Sequence, residues 1–144
     1  LDYRKTALHE DEIIKSVTVP KPVAGLHFRV WKISKRYDQD ISTVCGAFNL
    51  VIRDSMIASA RVAFGGMAAT SRRVPTAEAA LIGKPVSNAA FAAAAQAIRA
   101  AFKPLSDWRG TADYRTEVAG NLAIRLGAEL NGEPVEVMAK GASE

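Results

Sequence analysis

The order of two sequence patterns limits the fold of this chain most strongly. Up to about residue 64, apolar and polar residues alternate, which predicts strands because successive side chains of a strand point to opposite faces of a sheet. From Pro75 onward, alanine-rich and leucine-bearing runs have helical spacing. Strands followed by helices are typical of α+β domains. We therefore expect a two-layer sandwich, in which a mainly antiparallel sheet of about four strands carries three helices packed on one face.

Four stretches alternate well enough to be predicted as strands, namely 13–19, 28–33, 44–53 and 56–64. Pro20 ends the first, and the polar pair Asp54-Ser55 between the last two predicts an antiparallel hairpin. The face expected to be buried under the helices carries Val44, Phe48, Leu50, Ile52, Val62 and Phe64, continued by Ala58 and Ala60. The face carrying Trp31, Cys45, Asn49 and Arg61 is less apolar, and we expect it to be partly open.

Three helices are predicted, over 76–82, over 89–102 and from a cap at Thr111 to Leu130. The second is alanine-rich and places Phe91, Ile98 and Phe102 on one stripe. In the third, apolar residues recur every four positions, at Tyr114, Val118, Leu122, Leu126 and Leu130. We expect one domain over residues 1–130, and a tail over 131–144 that is partly ordered at best.

Composition restricts the class of protein. A length of 144 residues with 49% hydrophobic residues predicts a single domain with a substantial core. The net charge of +4 is spread along the chain without base-stacking aromatics among the basic residues, which argues against nucleic-acid binding. No apolar run approaches the roughly 20 residues of a membrane span. The single cysteine, Cys45, excludes an internal disulfide and suits a cytoplasmic protein. Since the chain begins without methionine, we expect it to be a piece of a longer protein.

A compact charged turn joins the second and third predicted strands. It sets Lys32, Lys35 and Arg36 against Asp38 and Asp40. The acids can pair locally with the bases and with backbone amides, which would make the turn an ordinary solvated hairpin tip. The same cations could instead be presented to an anionic ligand. The residues alone leave both interpretations open.

The sequence predicts no catalytic residue and no metal ligands within the chain. It contains no Gly-x-Ser-x-Gly motif and no pair of cysteines for an iron–sulfur cluster. His9 and His27 are far apart in sequence and have no convincing acidic partner. Asp107 is expected to pair with Arg109 or Arg115 rather than to act as an acid or base. Gly65-Gly66 is expected to be a structural turn that supplies positive φ.

Five motifs resemble, in the same order, the flavin subunits of the molybdenum hydroxylases. They are Lys32–Cys45, Arg61–Thr70, Glu78–Gly83, Pro104–Arg109 and Asp113–Arg115. The resemblance runs from about Tyr3 to Leu130 and is closest to the FAD-binding subunit of the xanthine dehydrogenase type. It covers the C-terminal domain of that subunit. The segments that make the main FAD contacts in the family are not part of this chain.

The resemblance implies an oxidoreductase. Enzymes of this type oxidise purines at a molybdenum–pterin centre, carry electrons through [2Fe–2S] clusters and pass them through FAD to NAD. The implied partners are the N-terminal FAD-binding domains of the same subunit, the molybdopterin-binding large subunit, the iron–sulfur domain and NAD. Mapped onto this chain, the resemblance implies that Lys32 and Ile14 contact FAD, with Arg36 and Asp40 as secondary candidates in the turn. Tyr37 departs from the family pattern and leaves the charge of the turn open.

Two alternatives remain at this stage. The chain could be the corresponding domain of a related hydroxylase, of the CO dehydrogenase or aldehyde oxidase type. It could also be a free-standing α+β module that binds protein partners and no cofactor, using the same turn and the same open sheet face.

Overall fold

The computed structural model describes residue 2, residues 5–36 and residues 38–135, and within them four strands precede three helices. The strands are β1 (Leu26–Ile33), β2 (Val44–Arg53), β3 (Met56–Gly65) and β4 (Arg72–Arg73). The helices are α1 (Pro75–Leu81), α2 (Asn88–Ala101) and α3 (Ala112–Leu130). The strands pair antiparallel in the order β1-β2-β3-β4. The predicted α+β class is confirmed.

The first predicted strand does not form. Residues 13–19 have no regular structure, and Ile13, Val17 and Val19 are exposed. Their alternation is real, but a strand also needs the hydrogen bonds of a neighbour, and within the described residues no strand edge pairs with this segment. The fourth strand is instead β4, which lies in a stretch where no strand was predicted.

The strand register decides which residues face the helices. Trp31 lies opposite Gly46, which in turn lies opposite Phe64, so all three share the helix-covered face. There the Trp31 ring packs edge-on against Phe48 at 5.8 Å, with the Arg125 guanidinium 4.5 Å from the Trp31 ring centroid. The prediction that Trp31 shares a face with Cys45 is therefore wrong. Alternation within one strand does not reveal its register against the next.

A bulge corrects a second face assignment. The tight turn between β2 and β3 has positive φ at both Asp54 and Ser55, as a two-residue hairpin requires. The register then shifts, because Val51 pairs with Ser59 while Ile52 pairs with Ile57. Ala58 is left unpaired and exposed, and Ile57 occupies the buried position that was predicted for Ala58. Ile52 is half-buried rather than fully buried.

The helices cover the sheet face that carries Trp31 and Phe64. The buried side of α2 is the predicted one, whereas the buried side of α3 is rotated relative to the prediction. The side chains of Ser87 and Thr111 cap α2 and α3 by accepting hydrogen bonds from backbone amides. The stripe of α2 is buried, but Tyr114 of α3 is half-exposed while its neighbour Arg115 is buried. The close approach of α3 to the sheet depends on Gly46, since a Cβ there would lie 2.8 Å from Leu122 Cδ1.

Among the described residues, no helix is both long and apolar enough to cross a membrane. The predicted tail is described only as far as residue 135, and residues 136–144 lie outside the described part, as does Tyr37. The boundary between domain and tail at residue 130 stays a prediction, although α3 does end there.

Candidate functional site

The sheet face opposite the helices is uncovered by any element that the structure describes. One row across this open face consists of Lys32, Cys45 and Gly65, and the next consists of Val30, Ala47 and Ala63. Phe28 and Val30 of β1 are 54% and 50% exposed, although both belong to a regular strand. Exposed aromatic and aliphatic side chains on a flat sheet are typical of a surface that another part of an assembly covers.

Lys32 stands at one end of this open face. It is exposed, and no ion pair among the described residues engages it. Its neighbours across the sheet are small, since Lys32 lies opposite Cys45 and Cys45 lies opposite Gly65. The result is a cation beside a surface of low relief, on which a planar group could lie.

The turn next to Lys32 is held by the Asp40 carboxylate. Its Oδ2 accepts hydrogen bonds from the amides of Lys35 at 3.1 Å and Arg36 at 3.0 Å, and Oδ1 accepts from the Ile41 amide at 2.8 Å. The Arg36 guanidinium donates to the Gln39 carbonyl at 2.9 Å, and Gln39 has a φ of 47°. The predicted local pairing of acids and bases is confirmed. Arg36 and Asp40 therefore shape the turn, and a contact of either with a cofactor stays a prediction.

The hydrogen bonds also set the charge of Asp40. The amide of Arg36 lowers the pKa of the Asp40 carboxyl from its usual value, against the opposing effect of partial desolvation. The amides of Ile41 and Lys35 and the charge of Arg36 act in the same direction as the Arg36 amide. A depressed folded-state pKa means that the contribution of Asp40 is complete above the unfolded value of 3.8 and is lost as the pH falls through the folded value.

We expect Asp40→Asn to loosen this turn without unfolding the domain. Asparagine keeps one carbonyl oxygen but loses the charge and one of the two acceptor oxygens. Amide hydrogen exchange at Lys35 and Arg36 should become faster, while exchange in β2 and β3 stays unchanged. When the wild-type protein is acidified through the folded-state pKa of Asp40, which lies below 3.8, the protection of the same two amides relative to their intrinsic exchange rate should fall. Asp38→Asn is the control, because Asp38 bonds Gln39 and neither of those amides. Unchanged exchange in Asp40→Asn would contradict the role of this carboxylate.

Below the turn, the buried Arg115 of α3 ties three chain segments together. Its Nη1 donates to the carbonyls of Thr43 and Gly66, the latter at 2.8 Å, and its Nη2 donates to Asp107 Oδ1 at 2.7 Å. Gly66 has a φ of 79°, and a Cβ there would come within 2.5 Å of the Thr43 carbonyl oxygen. The structural role predicted for this glycine pair is thus confirmed at Gly66.

Asp107 pairs with both arginines that the sequence offered as partners. Arg115 Nη2 lies at 2.7 Å, and Arg109 Nη1 lies at 3.7 Å from the other carboxylate oxygen. Desolvation alone would raise the pKa of Asp107, but the hydrogen bonds from Arg115 and from the Arg109 amide hold it below its usual value. The full burial of Arg115 was missed by the sequence analysis. Its only sequence signal was the nearby Asp107, a possible partner for a buried charge.

The residues implied to bind FAD belong to different segments of this structure, and their contact with a cofactor stays a prediction. Lys32 lies on the open face, whereas Ile14 lies in the irregular segment before β1 and is 70% exposed. Among the described residues, no hydrogen bond joins residues 13–22 to β1. The described residues also contain no group of histidine, cysteine, aspartate and glutamate side chains suited to a metal ion.

The structure is thus an α+β domain with one sheet face covered by helices and one face left open by the described residues. Residues 29–130 match the family described as the CO dehydrogenase flavoprotein C-terminal domain, and the chain belongs to this family.

Two relatives and one solved structure show the range of similar proteins. The carbon monoxide dehydrogenase medium chain of Hydrogenophaga pseudoflava is 32% identical over 120 residues, covering 83% of this chain and 42% of the relative. The xanthine dehydrogenase of Emericella nidulans is 39% identical over 90 residues, covering 61% of this chain and 7% of the relative. A crystallised H. pseudoflava carbon monoxide dehydrogenase, lacking the Mo-pyranopterin moiety of its cofactor, superposes with a TM-score of 0.73 at 33% identity, covering 81% of this chain and 40% of that one. The chain thus spans about two fifths of the medium chain and a small fraction of the xanthine dehydrogenase.

Proposed function

We propose that this chain is the C-terminal domain of the FAD-binding subunit of a cytoplasmic molybdenum hydroxylase of the xanthine dehydrogenase type. The observation that supports the proposal best is the open face of β1, β2 and β3, which combines a lysine that no described residue pairs with, the small residues Cys45 and Gly65, and exposed apolar side chains. Family membership supports a flavoprotein, and the chain's share of its relatives' length supports a domain that needs the rest of its subunit.

The residues of the open face fit one wall of a flavin site. The row of Lys32, Cys45 and Gly65 could accept an isoalloxazine ring, whose bulk a larger residue at Gly65 would obstruct. Bound FAD would supply electron transfer to NAD, with electrons arriving from a molybdenum centre through [2Fe–2S] clusters on other parts of the enzyme. Lys32 would stabilise negative charge at the ring edge, because a fixed cation in a water-poor site acts strongly on nearby charge.

The turn would limit the approach to that wall. Asp40 fixes the backbone of Lys35 and Arg36, so the exposed cations of the turn project from an ordered backbone a few residues from Lys32. NAD carries phosphates, and a fixed basic turn would favour its docking electrostatically. Ile14 is proposed to add an apolar contact once the preceding domains of the subunit are present. Those domains, the molybdopterin-binding large subunit and the iron–sulfur domain are the proposed partners.

A specific observation also favours a second candidate, a flavin subunit of the CO dehydrogenase type. The medium chain of H. pseudoflava covers more of this chain than the xanthine dehydrogenase of E. nidulans does. The open face would serve both types in the same way. Reduction of NAD by xanthine in the purified complete enzyme distinguishes them, since it is expected for the first type and would overturn our preference if it were absent.

The decisive experiment replaces Lys32 by methionine in the complete enzyme. Methionine keeps an apolar stem but removes the charge, so the fold should persist. We expect a lower flavin reduction potential and a loss of NAD reduction of about tenfold to a hundredfold, the range for removing one hydrogen-bonded charge interaction. Reduction of the molybdenum centre by xanthine in a single turnover should stay nearly normal, because it occurs elsewhere.

Lys35→Met is the matched control for the flavin potential, which it should leave at the wild-type value because the proposal places Lys32 and not Lys35 against the ring. Lys35 is an exposed lysine of the same turn, and only its backbone amide has a described partner. The Lys35→Met substitution removes one positive charge within a few residues of Lys32. If Lys32→Met left both the flavin potential and NAD reduction at wild-type values, the assignment of Lys32 would be wrong.

A further inference from the structure

A surface separate from the open face lies at the end of the sheet where β2 begins and β3 ends. It is a cleft of about 520 Å³ between Ile41-Ser42, the loop 66–69 and the segment 103–109, with Arg115 among its lining residues. None of the open-face residues Lys32, Cys45 and Gly65 lines it. The cleft is therefore separate from the surface proposed to face the flavin.

The cleft carries excess positive charge. Its lining includes three cations, Lys103, Arg109 and Arg115, and one acid, Asp107. Both Nη atoms of Arg115 are engaged, by two carbonyls and by Asp107, although its Nε has no acceptor among the described residues. Arg109 is less engaged, because its closest carboxylate contact is 3.7 Å long and its Nε also has no acceptor among the described residues. Lys103 is exposed and takes part in none of the described ion pairs.

Large apolar side chains surround these cations. Ile41, Leu105 and Trp108 are 63%, 64% and 67% exposed, and the Arg109 guanidinium lies 3.9 Å from the centroid of the Trp108 ring. Tryptophan and arginine are the residues that most often dominate the energy of protein interfaces, especially around a pocket. Leu105 and Trp108 bury little of their apolar surface within the domain, so most of it is available to a partner.

Several hydrogen bonds hold the loop that lines the cleft in place. The Asp107 carboxylate accepts hydrogen bonds from the amides of Arg109 at 2.9 Å and Gly110 at 3.3 Å, and Thr43 Oγ1 donates to the Arg109 carbonyl at 3.2 Å. Arg115 links the same aspartate to Thr43, just before β2, and to Gly66, just after β3. Binding to a preformed loop avoids the entropy cost of ordering it.

We propose that this cleft docks an acidic segment of another polypeptide of the assembled enzyme. An Asp or Glu carboxylate of the partner pairs with Arg109 and Lys103, and an adjacent apolar side chain packs on Leu105 and Trp108. The planar guanidinium of Arg109 suits a carboxylate, and Asp107 in the wall disfavours a doubly charged phosphate. A second copy of this chain is a poor occupant, because the chain carries a net charge of +4. The proposal rests on the proposed function for the existence of partner chains.

The first test measures assembly of the complete flavin subunit with the molybdenum-binding and iron–sulfur chains. Lys103→Glu and Leu105→Asp change exposed side chains, so the subunit should fold and keep its flavin. Each is expected to weaken the complex by about tenfold or more, as measured by sedimentation, and higher salt should weaken the wild-type complex in the same direction.

Lys84→Glu is the matched control. It reverses an exposed lysine near Ile57, at the opposite end of the sheet, and should leave the affinity unchanged. Wild-type affinity in both cleft variants would overturn the docking proposal. Failure of the proposed function would look different, as a complete subunit that carries no flavin at all.

The second test identifies the occupant with a photoreactive amino acid in place of Leu105. A crosslink to an acidic segment of the molybdenum-binding or iron–sulfur chain supports the proposal. A crosslink to a second copy of this chain, or none in the assembled enzyme, overturns it. Saturable binding of inorganic phosphate that Lys103→Glu abolishes without weakening assembly would assign the cleft to a small anion and also overturn the proposal.

Discussion

Replacement of Arg115 by methionine is expected to lower the free energy of unfolding of the 144-residue chain by about 3–5 kcal/mol, the range for breaking a buried charge pair by removing one partner. Arg115 is 3% exposed and donates hydrogen bonds to Thr43, Gly66 and Asp107. Methionine fills much of the same volume but leaves two carbonyls and a carboxylate without their donor. Denaturant unfolding followed by circular dichroism measures the loss.

Arg53→Met is the control for this prediction. Arg53 is exposed at the end of β2, so removing its charge should change the unfolding free energy by no more than about 0.5 kcal/mol. Asp107→Asn tests the same network from the other side and should cost less than Arg115→Met, because Arg115 keeps both carbonyl acceptors. If Arg115→Met unfolded at the wild-type denaturant concentration, the network would have no net stabilising role.

The network also links the two surfaces of the domain that we assign to function. Thr43 directly follows the charged turn, and Asp107 belongs to the loop that lines the cationic cleft. Both are bound to one guanidinium on α3. Loss of Arg115 should therefore disturb the turn beside Lys32 and the cleft together, whereas Asp40→Asn should disturb the turn and reach the cleft only at Ile41.

Local pattern was sufficient to predict most elements of this fold. The hairpin turn at Asp54-Ser55, the caps Ser87 and Thr111 and the buried stripe of α2 each depend on residues within a few positions of one another. Such features follow from backbone geometry and side-chain capping, which act over short sequence distances. The class of fold then follows from the order of the elements.

The errors concern relations between distant segments. Trp31 was assigned to the wrong face because its position depends on pairing with Gly46, and Ala58 was misplaced because the bulge beside it is a property of two strands. Residues 13–19 carry a strand pattern, but the described residues provide no partner strand for it. Arg115 was missed because burial of a charge requires acceptors that come from three separate segments.

The candidate site was predictable in part for the same reason. The charged turn is local, and its internal hydrogen bonds to Asp40 agree with the prediction from its acids and bases. Lys32 was singled out by resemblance, and the structure adds that it lies on the open face next to small residues. The cationic cleft was not predicted, since it forms between Ile41-Ser42, the loop 66–69 and the segment 103–109, which lies more than sixty residues after Ile41.

Phe48→Ala is expected to destabilise the 144-residue chain by about 3–5 kcal/mol, as is usual when a buried phenylalanine is truncated. Phe48 is 1% exposed and lies between Trp31 and Phe64, with ring centroids 5.8 Å away on each side. Truncation leaves a cavity in the centre of this aromatic row. Thermal or denaturant unfolding of the chain measures the effect.

Phe28→Ala is the matched control and also tests which face of the sheet is covered in the complete subunit. Phe28 belongs to the neighbouring strand but lies on the open face and is 54% exposed, so the same truncation should cost the isolated chain about 1 kcal/mol or less. If the flavin-binding domains cover this face, as we propose, Phe28→Ala should destabilise the complete subunit clearly more than the isolated chain, because there the ring is removed from an interface instead of from water. An equally small effect in both would mean that the open face stays exposed to solvent. It would contradict the proposal that this face forms one wall of a flavin site around Lys32.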